Sequence, residues 1–150
     1  MSDYSHSASP TRLAGFADIS QFIGATAQRQ PQHIALDDGQ HAVTYAQFDR
    51  RCNQAAHGLR ELGIQAGDRI AVLAENRLEY LELAVAAART GAILCALNWR
   101  FSQDEIAHCI ALTSPSLIFV SARHLSLLNL APNNALDISA LDHVHRTAQR

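Results

Sequence analysis

Residues 70–73 read Ile-Ala-Val-Leu, residues 93–97 read Ile-Leu-Cys-Ala-Leu, and residues 117–120 read Leu-Ile-Phe-Val. All three short apolar runs are predicted strands, and the first, which is partly β-branched, is typical of a strand buried on both faces of a parallel sheet. The intervals between their starts leave room for one helix and two turns, as in a βαβ unit. The sequence therefore predicts an α/β fold in which βαβ units form a mostly parallel sheet flanked by helices.

Two helices are predicted from capping signals. Thr44 precedes Gln47 by three residues and Ser102 precedes Glu105 by three, so each pair can form a capping box at a helix N-terminus. Gly63 suits the end of the first of these helices, because glycine readily adopts positive φ at the C′ position. Apolar residues recur at helical spacing behind both capping boxes, which predicts one buried face for each helix.

A further helix is predicted directly after the first strand. Glu75–Asn76 are expected to begin it and Thr90–Gly91 to end it. Its many alanines indicate close packing against the sheet. The expected core side of this helix consists of Tyr80, Leu81, Leu83, Ala84, Ala87 and Ala88.

The rest of the chain carries weaker patterns. A helix with one apolar face is expected within 16–30, and a hairpin is expected from 34–36 and 42–44. Residues 1–15 are polar and aperiodic, so we expect a disordered arm there. The folded portion is expected to span 16–121, and 122–150 to be a weakly specified tail that leaves the domain incomplete.

Composition excludes several classes of protein. Hydrophobic residues make up 48% of the chain and charged residues 17%, which indicates a globular protein. Twelve basic and fourteen acidic residues are well mixed, so no nucleic-acid surface is expected. No signal peptide or transmembrane run is visible. The three cysteines lack CxxC spacing, which argues against a disulfide framework and favours a reducing, cytoplasmic setting.

Candidate binding residues follow two of the predicted strands. Glu75 and Asn76 follow the first, and Trp99 and Arg100 follow the second. Ligands of α/β proteins bind at the carboxyl ends of such strands, although helix capping or plain surface packing also explains these residues. The chain has neither GxxxxGK(S/T) nor GxGxxG, so a P-loop or a Rossmann phosphate site is disfavoured.

Other polar residues and the cysteines are better explained by structural roles than by catalysis or metal binding. Asp37–Asp38 precede a glycine, which is typical of a turn. His143 and His145 lack a carboxylate or cysteine partner at ligand spacing, so a metal site is not expected. The cysteines fall on apolar stripes, as small buried hydrophobes do. We therefore predict no catalytic, cofactor-binding or metal-binding residue, and retain Trp99 and Arg100 as the weak candidates for substrate binding.

A series of short motifs gives the chain a family resemblance. Val43-Thr-Tyr-Ala-Gln-Phe48 is similar to the first core motif of adenylate-forming enzymes, whose usual form is Leu-Thr-Tyr-x-Glu-Leu. Gly67-Asp68-Arg69-Ile70-Ala71-Val72 matches the continuation expected in that family. Asn98-Trp99-Arg100-Phe101-Ser102 resembles the second core motif, in the form typical of acyl-CoA synthetases. Over roughly 19–120, the chain thus resembles the N-terminal part of an AMP-binding acyl-CoA synthetase.

This resemblance implies a function for a longer enzyme. The family activates a carboxylic acid with Mg-ATP to an acyl-adenylate and then transfers the acyl group to CoA. The implied fold is the start of its large N-terminal domain. The family's phosphate loop ending Pro-Lys-Gly, its aromatic-Gly-x-Thr-Glu segment, its ribose-binding aspartate and its catalytic lysine have no counterpart here. We therefore expect a fragment that is inactive alone and whose main partner is the rest of the synthetase.

Two other hypotheses remain open at this stage. The chain could be a stand-alone, non-enzymatic α/β module that binds a partner, and such a module should unfold cooperatively as a monomer. A flavodoxin-like domain would need an acidic cluster or phosphate loop at the strand ends, where only Glu75 is available. A piece of a larger domain should expose sheet edges and apolar surface, and homo-oligomers are then expected.

Overall fold

The computed structural model describes residues 18–128 and 134–141. A helix and a hairpin come first, and strands then alternate with helices. In chain order the elements are α1 (Ile19–Arg29), β1 (Ile34–Asp37), β2 (Ala42–Thr44), α2 (Tyr45–Glu61), β3 (Arg69–Leu73), α3 (Leu78–Thr90), β4 (Ile93–Ala96), α4 (Gln103–Thr113), β5 (Leu117–Val120), a 3₁₀ helix (Ala122–Leu127) and β6 (Ala135–Asp137).

Strands β3 to β6 form one parallel sheet in the spatial order β4-β3-β5-β6. Ile70 pairs with Leu94 on one side and with Leu117 on the other, which places β3 inside the sheet. The connection after β3 leads to one side and the connection after β5 to the other, so the two diverge between these strands. The predicted parallel α/β sheet is confirmed, and this divergence is where such sheets bind ligands.

Alternate residues of β3 contact helices on opposite faces of the sheet. Ile70 and Val72 pack in one core with residues of α2 and α3, whereas Ala71 and Leu73 pack in another with Ile106 of α4. The four strand residues are fully buried. The prediction of a strand covered on both faces is therefore confirmed.

Both predicted capping boxes are present. The Thr44 hydroxyl accepts a hydrogen bond from the Gln47 N–H (3.3 Å), and the Gln47 amide oxygen accepts one from the Thr44 N–H (2.9 Å). Ser102 and Glu105 make the same reciprocal pair at the start of α4. These caps satisfy backbone donors that have no partner inside a helix. They therefore place the starts of α2 and α4 where the sequence predicted them.

Helix α3 begins later than predicted. Its first residue is Leu78, and the N-cap position is occupied by Arg77, which makes no side-chain cap. Glu75 does not cap the helix, because its carboxylate accepts a hydrogen bond from Ser121 across the sheet edge (2.8 Å). The prediction that Glu75–Asn76 begin the helix is wrong by about one turn. Gly91 ends α3 with a φ of 75°, as predicted.

The buried face of α3 also differs from the prediction. Leu81 is 44% exposed, whereas Glu82 is 1% exposed. Glu82 tolerates this burial because its carboxylate accepts a hydrogen bond from the Arg51 side chain of α2. The apolar pattern alone could not show this ion pair, and it misplaced Leu81 in the core.

The sequence pattern did not predict strand β6. Ala135 pairs with Ile118 in parallel register, and the residues that follow β6 enter the core. Ile138 is 0% exposed and Leu141 is 3% exposed. A strand of three residues is too short to show a period of two. The predicted arm at 1–15 and the histidines at 143 and 145 lie outside the described residues.

Candidate functional site at the carboxyl edge of the sheet

Polar and aromatic side chains from three connections meet where the parallel strands end. Glu75 and Arg77 follow β3, Trp99 and Arg100 follow β4, and Ser121 and His124 follow β5. We call these six residues the carboxyl-edge cluster. The register explains the convergence, because the carboxyl ends of parallel strands meet at the same edge of a sheet.

Glu75 joins the end of β3 to the segment after β5. Its carboxylate accepts a hydrogen bond from the Ser121 hydroxyl (2.8 Å) and lies 3.3 Å from Nε2 of His124. Burial alone would raise the pKa of Glu75. A backbone N–H, the Ser121 hydroxyl and the nearby side chains of His124 and Arg77 act in the opposite direction and outweigh burial, so the pKa lies below its ordinary value. Glu75 is therefore held as a carboxylate.

Arg77 is bound mainly by the next acidic residue. Its Nε and one terminal nitrogen donate to the two oxygens of Glu79, at 2.8 and 2.7 Å. This bidentate geometry suits the planar guanidinium group. Its other terminal nitrogen lies 4.0 Å from Glu75. The hydrogen bond that Arg77 donates to Glu79 is the main cause that raises the pKa of Arg77. The β3–α3 connection thus has a rigid, charge-paired shape.

An aromatic stack connects the β4–α4 turn to the segment after β5. The rings of Trp99 and His124 are stacked, with centroids 5.3 Å apart and an interplanar angle of 19°. The guanidinium carbon of Arg100 lies over the Trp99 ring, 4.7 Å from its centroid. Asn98 shapes the turn, because its side-chain oxygen accepts a hydrogen bond from the Arg100 N–H (3.1 Å). The stack and the Asn98 side chain therefore both contribute to the shape of this turn.

A polar groove lies beside the cluster. It has a volume of about 740 Å³ and runs between the β1–β2 hairpin, the first half of α2 and the β3–α3 connection. Glu75 and Arg77 line it from the sheet edge, and Arg50 and Arg51 line it from α2. Arg51 is paired with Glu82, whereas Arg50 is solvent-exposed. The groove offers charges of both signs rather than a single electrostatic field.

The structure brings most of the predicted candidates to this edge. Trp99, Arg100 and Glu75 belong to the cluster, and Asn76 lines the neighbouring groove. The Asp37–Asp38 pair is a turn, as predicted, because both carboxylates accept hydrogen bonds from nearby backbone N–H groups.

Sequence reasoning missed Ser121 and His124. Ser121 is the first residue after β5 and is 1% exposed; His124 is 7% exposed. The rule that selected Glu75 and Trp99 (polar residues directly after a predicted parallel strand) would also have selected Ser121. His124 lies one turn further on, inside the 3₁₀ helix, and the sequence carries no signal for its contact with Trp99.

Within 18–128 and 134–141, no group of three His, Cys, Asp or Glu side chains is arranged to hold a metal ion. In those same ranges no helix is both long and apolar enough to cross a membrane. The cysteines at 52, 95 and 109 are free thiols.

Comparison with curated proteins gives several acid–CoA synthases and ligases among the relatives. Over 98 residues the chain is 36% identical to feruloyl-CoA synthase from Amycolatopsis, which covers 65% of this chain and 20% of that protein. It is 32% identical over 91 residues to 3-oxocholest-4-en-26-oate–CoA ligase from Rhodococcus rhodochrous, which covers 61% of this chain and 16% of that protein. The chain thus spans about a fifth of the length of these relatives.

Solved structures share the fold. A fatty acyl CoA synthetase from Mycobacterium tuberculosis matches with a TM-score of 0.79 at 23% identity, over 87% of this chain and 28% of that one. O-succinylbenzoate coenzyme A synthetase from Bacillus subtilis, in complex with AMP, matches with a TM-score of 0.69 at 21% identity, over 80% of this chain and 32% of that one. At these identities the likeness shows the fold alone.

The predicted resemblance to adenylate-forming enzymes is confirmed by a family model. The model described as AMP-binding enzyme matches residues 23–149, which is most of the chain. Curated acid–CoA synthases and ligases, and solved adenylate-forming enzymes, agree with it. The chain belongs to the AMP-binding enzyme family.

Proposed function

We propose that these residues belong to an AMP-forming acid–CoA ligase, which converts a carboxylic acid, ATP and CoA to an acyl-CoA through an acyl-adenylate. The observation that carries the proposal is the family match over 23–149, shared with relatives named as CoA synthases or ligases. Mg-ATP and CoA are the cofactors of such a reaction. Since the chain covers 20% of its feruloyl-CoA synthase relative, we propose a longer native protein whose remaining residues complete the site.

The 150 residues alone are proposed to lack adenylation activity. They contain no lysine and no Ser/Thr-Gly-rich run ending in Pro-Lys-Gly. Stabilising charge on the α-phosphate requires positioned donors or cations. The arginines near the sheet edge only partly supply them, because Arg77 is paired with Glu79 and Arg51 with Glu82. The role proposed for this part is to support the sheet and to present its carboxyl edge.

Arg100 is the residue of this edge that we propose contacts a substrate. It is solvent-exposed, and within the described residues its guanidinium group pairs with no carboxylate. Arginine binds phosphate well because its planar fork donates two parallel hydrogen bonds. We therefore propose that Arg100 contacts an anionic group of ATP or CoA.

Arg69 provides a matched control for Arg100. It lies at the amino end of β3, on the opposite edge of the same sheet, and is also solvent-exposed. In the longer protein, Arg100→Gln should raise the KM for ATP or CoA by about tenfold, as expected for one lost charged contact. Arg69→Gln should leave both KM values unchanged. Equal effects of the two substitutions would reject a specific contact by Arg100.

The activity itself is tested with native protein captured by an antibody raised against the chain. The expected result is carboxylate-dependent exchange of labelled pyrophosphate into ATP, and CoA thioester formation when CoA is added. Ferulate and fatty acids are suitable acids, since relatives carry the names feruloyl-CoA synthase and fatty acid–[acyl-carrier-protein] ligase. Captured protein that shows neither reaction with any acid tested would reject the proposed function.

A further inference from the structure

Nε2 of His124 is a buried polar atom without a hydrogen-bond partner among the described residues. It nevertheless lies 3.3 Å from an oxygen of Glu75, a contact that has the distance of an ion pair but not the alignment of a hydrogen bond. The side chain is 9% exposed. A buried polar atom left unpaired is costly, so this position requires a reason beyond packing.

We propose that His124 is a positioning residue, which in its protonated form attracts the Glu75 carboxylate and the Trp99 ring together and so holds the Trp99–Arg100 turn against the end of β5. Both contacts strengthen when the imidazole carries a charge. A cation gains Coulomb attraction to a carboxylate at 3.3 Å, and it gains attraction to the face of an indole ring stacked at 5.3 Å. The inference rests on the proposed function only for what Arg100 binds.

The charged groups around His124 come from each neighbouring connection. The nearest is the Glu75 carboxylate, which the Ser121 hydroxyl orients toward the ring through a 2.8 Å hydrogen bond. The other charged residues on these elements are Arg77 after β3, Arg100 after β4, Arg123 in the same 3₁₀ helix, and Asp137 at the end of β6, which acts on Arg77.

The protonation state of His124 changes the strength of the contacts that hold the Trp99–Arg100 turn. When His124 is neutral, its contact with Glu75 loses the Coulomb attraction, and the stack with Trp99 loses its cation–π component. The turn that carries Arg100 then keeps the Asn98 side chain, its backbone hydrogen bonds and the packing of Trp99 on the core that includes Ile106, but it loses the electrostatic part of both contacts. The order of this turn should therefore depend on the charge of the imidazole.

Trp99 reports this contact directly, because it is the one tryptophan among the 150 residues. The experiment is a fluorescence titration of the 150-residue chain from about pH 8 to pH 5, excited for tryptophan. A charged imidazole stacked on indole quenches its emission. The expected result is a single sigmoidal fall in intensity for the wild type and its loss in His124→Gln.

A histidine on the surface supplies the matched control. His57 on α2 is solvent-exposed and lies 3.4 Å from Glu61, so it has a carboxylate neighbour without a stack. His57→Gln should keep the full titration. In Glu75→Gln the midpoint should shift to lower pH, because the anion that favours the charged ring is gone. If far-UV circular dichroism shows that His124→Gln does not fold, the shift of the midpoint in Glu75→Gln still tests the proposal.

A wild-type intensity that stays flat, a titration unchanged in His124→Gln, or an unshifted midpoint in Glu75→Gln would overturn the proposal. Because the fluorescence measurement needs neither ATP nor CoA, its outcome is independent of whether the protein has the proposed activity. If the titration is present and the captured protein has no ligase activity, the proposed function fails and the role of His124 in the turn remains. If the activity is present without the titration, only the role of His124 fails.

Discussion

The guanidinium group of Arg89 on α3 lies 2.6 Å from the carboxylate of Asp49 on α2. The same side chain donates to the backbone oxygen of Asp49 and to the side-chain oxygen of Asn53, each at 2.9 Å. Arg89 is 11% exposed and Asp49 is 26% exposed at the side chain. Arg89 therefore adds a polar connection between the two helices that cover one face of the sheet.

Replacing Arg89 by methionine should destabilise the chain, because it removes the guanidinium group and leaves a side chain of similar length to pack between the helices. Arg89→Met loses three charge-assisted hydrogen bonds but keeps packing volume, and Asp49 retains some access to water. We expect the free energy of unfolding to fall by about 2 kcal/mol. Urea unfolding followed by circular dichroism measures it. Arg60→Met is the control, since exposed Arg60 makes one bond, to the Arg89 carbonyl, and should cost about 0.5 kcal/mol.

Gly91 should be less replaceable than Gly63. Both have positive φ, 75° and 85°. A Cβ on Gly91 would lie 3.0 Å from the Cβ of Ala66, whereas a Cβ on Gly63 would meet nothing within 4 Å. We expect Gly63→Ala to cost about 1 kcal/mol from backbone strain and Gly91→Ala about 2–3 kcal/mol from strain plus contact. Equal unfolding midpoints for the two variants would show that the Ala66 contact relaxes freely.

Glu75 should contribute to stability in a pH-dependent manner. Its pKa in the folded chain is below the ordinary value of 4.5, so it stabilises the fold above that value. This contribution is lost as the pH falls through the folded pKa. The difference in unfolding free energy between wild type and Glu75→Gln should therefore be present above about pH 4.5 and should shrink below that value.

The control for Glu75→Gln is Glu61→Gln on the exposed surface of α2, where the carboxylate is 69% exposed. Its effect on stability should be small at every pH. Denaturant titrations at a series of pH values compare the two variants. A gap between Glu75→Gln and wild type that does not shrink well below about pH 4.5 would contradict the placement of the Glu75 carboxylate among its donors.

Cys52 should be the least reactive thiol in the folded chain. It is fully buried, and burial raises the pKa of its thiol to about 12. Cys95 and Cys109 are half-buried. Alkylation followed by peptide mass spectrometry should therefore label these two first under native conditions, and all three in urea. Native labelling of Cys52 at the rate of the others would place it outside the core shared by α1, α2 and the hairpin.

The sequence predicted what local patterns encode. Thr44 and Ser102 marked the starts of α2 and α4, because capping depends on residues three apart. Strands β3, β4 and β5 were predicted from their apolar runs. The start of α3 was not predicted correctly, since Glu75 forms a hydrogen bond with Ser121, 46 positions away. Contacts over such separations follow from the sheet register, which no local pattern contains.

In the candidate site, the residues that directly follow a strand were predicted, and the contacts between distant segments were not. Glu75, Trp99 and Arg100 follow strands, and the rule for parallel sheets selected them. His124 joined them only through a stack between two connections. The burial of Glu82 was equally hidden, because its partner Arg51 lies on another helix. A polar residue is stable in the core when a charged or hydrogen-bonding partner contacts it, and local sequence patterns do not show which residue that partner is.

The intact mass of the native protein shows whether these residues are part of a longer ligase. Protein captured from its own cells by an antibody against this chain would be measured by mass spectrometry. We expect a mass several times the 16.4 kDa of the 150 residues, since these cover 20% of the feruloyl-CoA synthase relative. A native mass near 16.4 kDa would contradict this expectation. The chain would then have to act without the remainder of a ligase, as a binding module.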